Sequence, residues 1–141
     1  MVRLLRQVAV LLVLAAFAFA QDYTPKFPGD PARSNSEAAA LGYMRVVVNA
    51  QRQYHRKHDQ YATSLSALVN QGSFTKRMVS PNRGDYTSRF KSDGKNFSLW
   101  MTPTAAPDPT HRAFYVDDRG TIRAEEDKPA TSESPAIKAQ K

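Results

Sequence analysis

The sequence predicts an α+β domain, in which a long N-terminal amphipathic helix packs on a four-stranded antiparallel sheet, preceded by a signal peptide. A proline-free run from Asn35 to His58 carries its apolar residues on one side of a helix. From Asp85 onward, apolar residues instead recur at every second position, which is typical of half-buried strands. With 141 residues, the chain has room for one such domain and hardly for two.

The first twenty residues have the three-part pattern of a secretory signal peptide. Arg3 and Arg6 precede an apolar run of thirteen residues that ends with the small-residue pattern Ala18-Phe19-Ala20. A membrane-spanning helix needs about twenty residues, so cleavage after Ala20 is favoured over a retained anchor. We therefore expect an exported protein, periplasmic or extracellular, that meets a membrane only if this segment is retained.

Composition limits the kinds of site that the chain can form. It has no cysteine, which excludes disulfides, thiolate metal sites and a lipid on an N-terminal cysteine. Of its 20 basic residues two lie in the signal peptide, so the exported part has 18 against 13 acidic residues and a net charge of +5. This charge could favour an acidic partner, although a solvated basic surface is the simpler interpretation.

A proline-rich linker, residues 21–33, precedes the predicted domain, residues 34–126. It holds three prolines and one glycine in the stretch "QDYTPKFPGDPA". The helix is expected to begin after Ser34, because Ser34 and Glu37 have the spacing of a capping box.

The predicted helix has one apolar face and one basic face. With a turn of 100° per residue, an arc of about 160° collects most of its apolar side chains, namely those of Ala40, Leu41, Tyr43, Met44, Val47, Val48 and Tyr54. Arg45, Arg52 and Arg56 fall together on another side. These three form the arginine ridge, which is the candidate surface for binding a partner. The simpler interpretation of the same pattern is a solvated helix face.

A short second helix is expected after Ser64, followed by a connection broken by Pro81 and Gly84. Four strands then follow, "DYTSRFK", "NFSLWMT", "RAFYV" and "TIRAEE". The first two flank Asp93-Gly94, which is a strong signal for a hairpin turn. The last segment, residues 127–141, is small, polar and proline-containing, and we expect it to be poorly ordered.

Four segments resemble, in the same order, the globular part of type IV pilins and type II secretion pseudopilins. The first is the helix that ends in "NAQRQYHRKHDQYATSLSAL", and the others are "YTSRFKSDGKNFSLWMTP", "FYVDDRGTIR" and "ATSESPAI"; together they cover about Ser36 to Ile137. The resemblance implies a helix-on-sheet fold and a structural or interaction role near such bacterial machinery, with pseudopilin or pilus components as partners. The pilin leader junction and the continuous filament-core helix have no counterpart here, so polymerisation into a fibre is not implied.

His55 and His58 are the candidate metal ligands, because residues three apart on a helix can meet one ion. Asp59 follows directly. However, basic residues crowd the same turns and oppose the binding of a cation. We therefore expect no metal here, and we expect both histidines to cover the end of the core near Tyr61.

No catalytic or cofactor-binding set is visible, since the sequence has neither a glycine-rich phosphate loop nor a specific nucleophile–base pattern. Arg89 and Lys91 lie near Trp100, a combination that can stack nucleic-acid bases, but alternation more simply builds two sheet faces. We expect a non-enzymatic protein without a cofactor. Two functions remain: a pilin-like structural or interaction module, and an extracytoplasmic binding protein for polysaccharide or DNA that uses the arginine ridge.

Overall fold

The structure is a computed structural model that describes residues 23–139. The expected signal peptide, residues 1–20, lies outside the described residues. Within them, one α-helix, α1, spans Asn35–His58, and two short 3₁₀ turns span Ser66–Leu68 and Lys76–Val79. No helix in this part of the chain is both long and apolar enough to cross a membrane.

Five strands form a single antiparallel sheet in which each strand pairs with the next along the chain. They are β1 (Asn82–Arg83), β2 (Tyr86–Ser92), β3 (Phe97–Pro103), β4 (Ala113–Asp117) and β5 (Arg123–Glu125). The longest ladder joins β2 to β3, from Tyr86 opposite Pro103 to Ser92 opposite Phe97. The turn between them contains Gly94, whose φ of 87° suits glycine.

The predicted fold, a long helix on a four-stranded sheet, is wrong. Residues 23–139 contain one α-helix and a five-stranded sheet, because Asn82 and Arg83 pair with Thr87 and Tyr86 to add β1. Two residues are too few for an alternating pattern, so the sequence showed only a broken connection there. The second predicted helix is reduced to the 3₁₀ turn Ser66–Leu68.

The core lies between α1 and the inner face of the sheet. Since side chains alternate along a strand, every second residue of β3 and β4 points towards α1. The buried cluster draws on both layers and includes Leu41, Met44, Val47, Val48, Leu99, Met101, Phe114 and Val116. Burying this apolar arc leaves the arginine ridge on the solvent side of α1.

A buried amide fixes the chain just after α1. Gln51 is fully buried, and its side chain donates to the Ala62 carbonyl at 3.0 Å and accepts from the Ala62 N–H at 2.8 Å. This exchange of two hydrogen bonds imitates the pairing of two strands. It satisfies both polar ends of a side chain that lies in the apolar arc.

The last described residues run back along β5. The Ala124 N–H donates to the Pro135 carbonyl at 2.9 Å, and the Ile137 N–H donates to the Ile122 carbonyl at 3.0 Å. Ala130 is buried beside Tyr115 on the outer face of the sheet. The segment for which the sequence suggested poor order is thus described as far as Ala139, and it covers the β5 edge.

Candidate functional site

The three ridge arginines, Arg45, Arg52 and Arg56, are exposed on the outer side of α1. At 1.5 Å of rise per residue, their Cα atoms are about 10 Å and about 6 Å apart along the helix axis. Within residues 23–139, no carboxylate forms a salt bridge with any of them. The Arg45 guanidinium lies 5.3 Å from the ring centre of Phe27, which is 45% exposed. The ridge arginines thus lie outside salt-bridge distance of the carboxylates in this part of the chain, but Asp30 is near enough to Arg45 to interact with its charge. Burial tends to raise the pKa of Asp30, but hydrogen bonds from Tyr23 and from the Lys26 and Ala32 N–H groups, together with the charge of Arg45, hold it below its ordinary value.

A groove lies between the ridge and the turn that joins β4 to β5. Its volume is about 130 Å³, and its lining consists of Arg45, Val48, Asn49, Arg52, Gly120 and Ile122. Two arginines, one asparagine, one glycine and two aliphatic residues thus border the groove. We call this set the basic groove.

Gly120 allows Arg52 to lie across the β4–β5 turn. The φ of Gly120 is 81°, and a Cβ at this position would lie 2.5 Å from Nη2 of Arg52. Only glycine adopts this conformation readily and also leaves that space open. The glycine therefore sets how closely the guanidinium approaches the turn.

Asp117, the last residue of β4, pairs with Arg119 in the β4–β5 turn. Asp117 accepts from Nη2 of Arg119 at 2.9 Å and from the Arg119 backbone N–H at 3.0 Å. Burial tends to raise the pKa of Asp117, but the hydrogen bonds from Arg119 and Tyr115 outweigh burial and hold it below its usual value. Asp117 thus stays ionised and is paired with Arg119, not with a ridge arginine.

The candidate metal ligands face separate aromatic partners. The His55 ring lies 4.5 Å from the Tyr61 ring, whereas the His58 ring lies 4.1 Å from the Tyr54 ring. Asp59 ends the helix with a φ of 56°, and its N–H donates to the His55 carbonyl at 2.8 Å. Among the described residues, no group of three or more histidine, aspartate or glutamate side chains is placed to hold a metal ion.

A buried ion pair that sequence reasoning missed joins α1 to β4. Glu37 is 0% and Arg112 is 7% exposed at the side chain, and their closest contact is 2.8 Å. Glu37 also accepts from the Arg33 and Arg112 backbone N–H groups, at 3.0 and 2.8 Å. The capping-box spacing of Glu37 with Ser34 marked the carboxylate, and Ser34 does accept from the Glu37 N–H, but nothing in the sequence indicated Arg112.

A second missed cluster surrounds His111 at the other end of the sheet. Nε2 lies 3.0 Å from an Asp85 oxygen and Nδ1 lies 3.2 Å from an Asp108 oxygen. Both ring nitrogens can donate only in the imidazolium form. Burial tends to lower the pKa of His111, but the two carboxylates outweigh it and raise the pKa above its ordinary value.

The geometry of this cluster does not form a nucleophile–base pair. The Ser36 hydroxyl donates to Asp85 and not to His111, so the imidazole is not placed to take its proton. A cavity of about 250 Å³ lies beside the cluster and is lined by Asp85, Asp108, His111 and residues 103–106. In the sequence, Asp85 lies far from Asp108 and His111, so no local pattern joins the three residues.

The aromatic residues on the outer sheet face are occupied by their neighbours. The Arg89 guanidinium lies 4.1 Å from the ring centre of Trp100, and the Tyr115 ring packs edge-on at 5.4 Å. A base could stack on Trp100 only by displacing Arg89. This surface is consequently a weaker candidate for binding than the basic groove.

The basic groove joins a concave shape to Arg45 and Arg52, neither of which lies within salt-bridge distance of a carboxylate in residues 23–139, and we take it as the candidate site. No family model, curated protein or solved structure matches the chain. The function must therefore be inferred from the described side chains.

Proposed function

We propose that this protein is an exported, non-enzymatic interaction module that docks an acidic partner protein on the arginine ridge and the basic groove. The observation that carries the proposal is the row of exposed arginines on α1, Arg45, Arg52 and Arg56, none of which lies within salt-bridge distance of a carboxylate in residues 23–139. Complementary charge across an interface speeds encounter and fixes register.

The proposed setting is a bacterial assembly of the pilin type, at a type II secretion or type IV pilus apparatus. Support comes from the four segments that resemble, in the same order along the chain, the globular part of pilins and pseudopilins. The partner is then a pseudopilin or pilus component with an acidic surface. Burial of the apolar arc of α1 against the sheet suits this role, because the basic face is left outward on a rigid element.

A pull-down from bacterial envelope extracts tests the proposal. The protein should capture pseudopilin or pilus components, identified by mass spectrometry, and a variant with Arg45, Arg52 and Arg56 changed to alanine should not. A matched control removes three other exposed cations, Lys76, Arg77 and Lys95, and should capture normally. Equal capture by both variants would contradict the proposal.

A second candidate function is binding of an acidic polymer such as polysaccharide or DNA. It is favoured by the length of the ridge, about 16 Å along the helix axis from Arg45 to Arg56, which suits an extended chain of charges. With DNA, contact by three arginines predicts that the logarithm of the affinity falls with the logarithm of the salt concentration with a slope of about −3. Tight binding of heparin or DNA with this salt dependence, together with no captured protein, would favour the polymer.

A further inference from the structure

We propose that His111 and Thr110 form a proton-operated latch on the loop between β3 and β4, which releases Asp108 when the His111 imidazolium loses the proton on Nδ1. The latch consists of the His111 ring, the Thr110 hydroxyl and the carboxylates of Asp85 and Asp108. It goes beyond the docking function proposed above and does not depend on the arginine ridge.

The loop that the latch holds, residues 104–112, has few other attachments. Residues 105–107 form no hydrogen bond with the rest of the described chain. On one side of them, the Thr104 N–H donates to the Asp85 carbonyl at 2.9 Å. On the other side, Oδ1 of Asp108 receives the Thr110 N–H and the Thr110 hydroxyl, both at 2.8 Å, and faces Nδ1 of His111 at 3.2 Å. Three donors thus converge on one oxygen when His111 is protonated.

As an imidazolium, His111 joins two separate segments. Its Nε2 donates to Asp85, in the turn before β2, at 3.0 Å, and its Nδ1 donates to Asp108 in the loop. The other ionisable groups near the ring leave this arrangement to the two aspartates. Tyr86 of β2, 6.2 Å away between ring centres, has a pKa that burial raises and is neutral, and Arg112 is paired with Glu37 of α1.

The neutral ring keeps one N–H, and the neighbours decide which one. If the proton stays on Nε2, Asp85 keeps its donor, and Nδ1 can accept from the Thr110 hydroxyl, whose oxygen lies 3.0 Å away. If it stays on Nδ1, the bare Nε2 faces Asp85 at 3.0 Å, while the Ser36 hydroxyl donates to Asp85 and not to the ring. Only the first tautomer gives both nitrogens a hydrogen-bond partner, so the proton on Nδ1 is the one that leaves.

Loss of that proton to water releases Asp108. The Thr110 hydroxyl turns from Asp108 to Nδ1, and the Thr110 N–H is then the one donor that Oδ1 keeps of its three. The lone pair of Nδ1 also faces this carboxylate oxygen and repels it. Since the Asp108 side chain is 52% exposed, water can replace the lost donors and the loop can move away.

The latch is closed at acidic pH and opens as pH rises. Burial tends to lower the pKa of His111, but the hydrogen bonds and charges of Asp85 and Asp108 outweigh it and raise the pKa above its ordinary value. Opening is therefore expected above the ordinary titration range of histidine.

NMR spectroscopy of the isotope-labelled protein follows both halves of the latch through a pH titration. Long-range nitrogen spectra of His111 report which ring nitrogen is protonated. Backbone heteronuclear NOEs of Ala105, Ala106 and Asp108 report the motion of the loop on the picosecond to nanosecond timescale. Above the His111 transition, the ring should carry its proton on Nε2, and the loop NOEs should fall with the same midpoint.

Four variants separate the parts of the latch. Thr110→Val removes the hydroxyl and should move both midpoints to higher pH, because the neutral ring loses the donor to Nδ1. Thr110→Ser keeps a hydroxyl and should behave like wild type. His111→Gln should abolish the pH dependence of the loop. His55→Gln is the matched control, since the His55 ring contacts Tyr61 and not the loop, and it should leave the loop response unchanged.

Loop NOEs that stay constant through the His111 transition, or change with another midpoint, would overturn the latch. A neutral ring protonated on Nδ1, or a Thr110→Val midpoint equal to that of wild type, would overturn the role of the Thr110 hydroxyl. None of these results depends on whether the arginine ridge binds a partner, so the latch and the docking function fail separately.

Discussion

Replacing Glu37 by alanine should destabilise the protein by about 3–5 kcal/mol, because the change leaves the Arg112 guanidinium buried without a counter-charge. The carboxylate accepts from Nη2 of Arg112 at 2.8 Å, from Nε at 3.0 Å and from the Arg112 backbone N–H at 2.8 Å. It also accepts from the Arg33 N–H at the start of α1. After the substitution, the Pro31 carbonyl, 2.9 Å from Nη2, is the one hydrogen-bond acceptor left to the guanidinium within residues 23–139.

Urea unfolding and thermal melts measure this loss. At about 4 °C per kcal/mol, the melting temperature should fall by about 12–20 °C. Two control variants are compared with Glu37→Ala. Glu126→Gln removes the exposed partner of Arg33 and should leave the melt nearly unchanged. The double variant Glu37→Leu with Arg112→Met buries no charge and should recover much of the stability. A loss of less than about 0.5 kcal/mol in Glu37→Ala, as for an ordinary surface substitution, would refute the reasoning.

Three further predictions concern pH, the helix face and metal. His111 has a raised pKa when folded, so its stabilising effect should be complete below its ordinary pKa of 6.5 and should fade as pH rises through the raised value. Melts of wild type and His111→Gln should therefore differ more at about pH 5 than at about pH 9; the reverse order would contradict this. Val48→Asp places a carboxylate in the core and should lower the free energy of unfolding by several kcal/mol, whereas Arg52→Ala should change the melting temperature little. The opposite ranking would be inconsistent with the packing of α1. Zinc and chelator should leave the melt unchanged, and stoichiometric zinc binding that is lost on mutating His55 or His58 would show otherwise.

Local sequence accounts for features whose causes lie within a few residues. The start of α1 follows from Ser34, whose hydroxyl accepts from the Glu37 N–H at 3.1 Å, a contact between neighbours. The division of α1 into faces follows from its period, and Leu41 and Met44 are fully buried while Arg45 is exposed. The hairpin between β2 and β3 follows from Asp93-Gly94, because glycine adopts the positive φ of the turn.

Such local rules could not predict the number of strands in the sheet. β1 has only two residues, and Asn82 and Arg83 become a strand because β2 supplies their partners. Pro81 still contributes there, since its carbonyl accepts from the Ser88 N–H at 2.9 Å. The segment after residue 126 has no periodic pattern either, and its position depends on the β5 edge that Pro135 and Ile137 join.

By itself, the sequence determined the limits of α1, its apolar and basic faces, the β2–β3 hairpin and a chain without cysteine chemistry. Tertiary structure alone decided which distant side chains meet: Glu37 with Arg112, which are 75 residues apart, and Arg52 with Gly120 in the basic groove. The physical reason is the range of the interactions. Capping and amphipathic period act between near neighbours and leave a pattern in the sequence. A buried ion pair or a groove forms only when the whole chain brings distant residues together, so it leaves no such pattern.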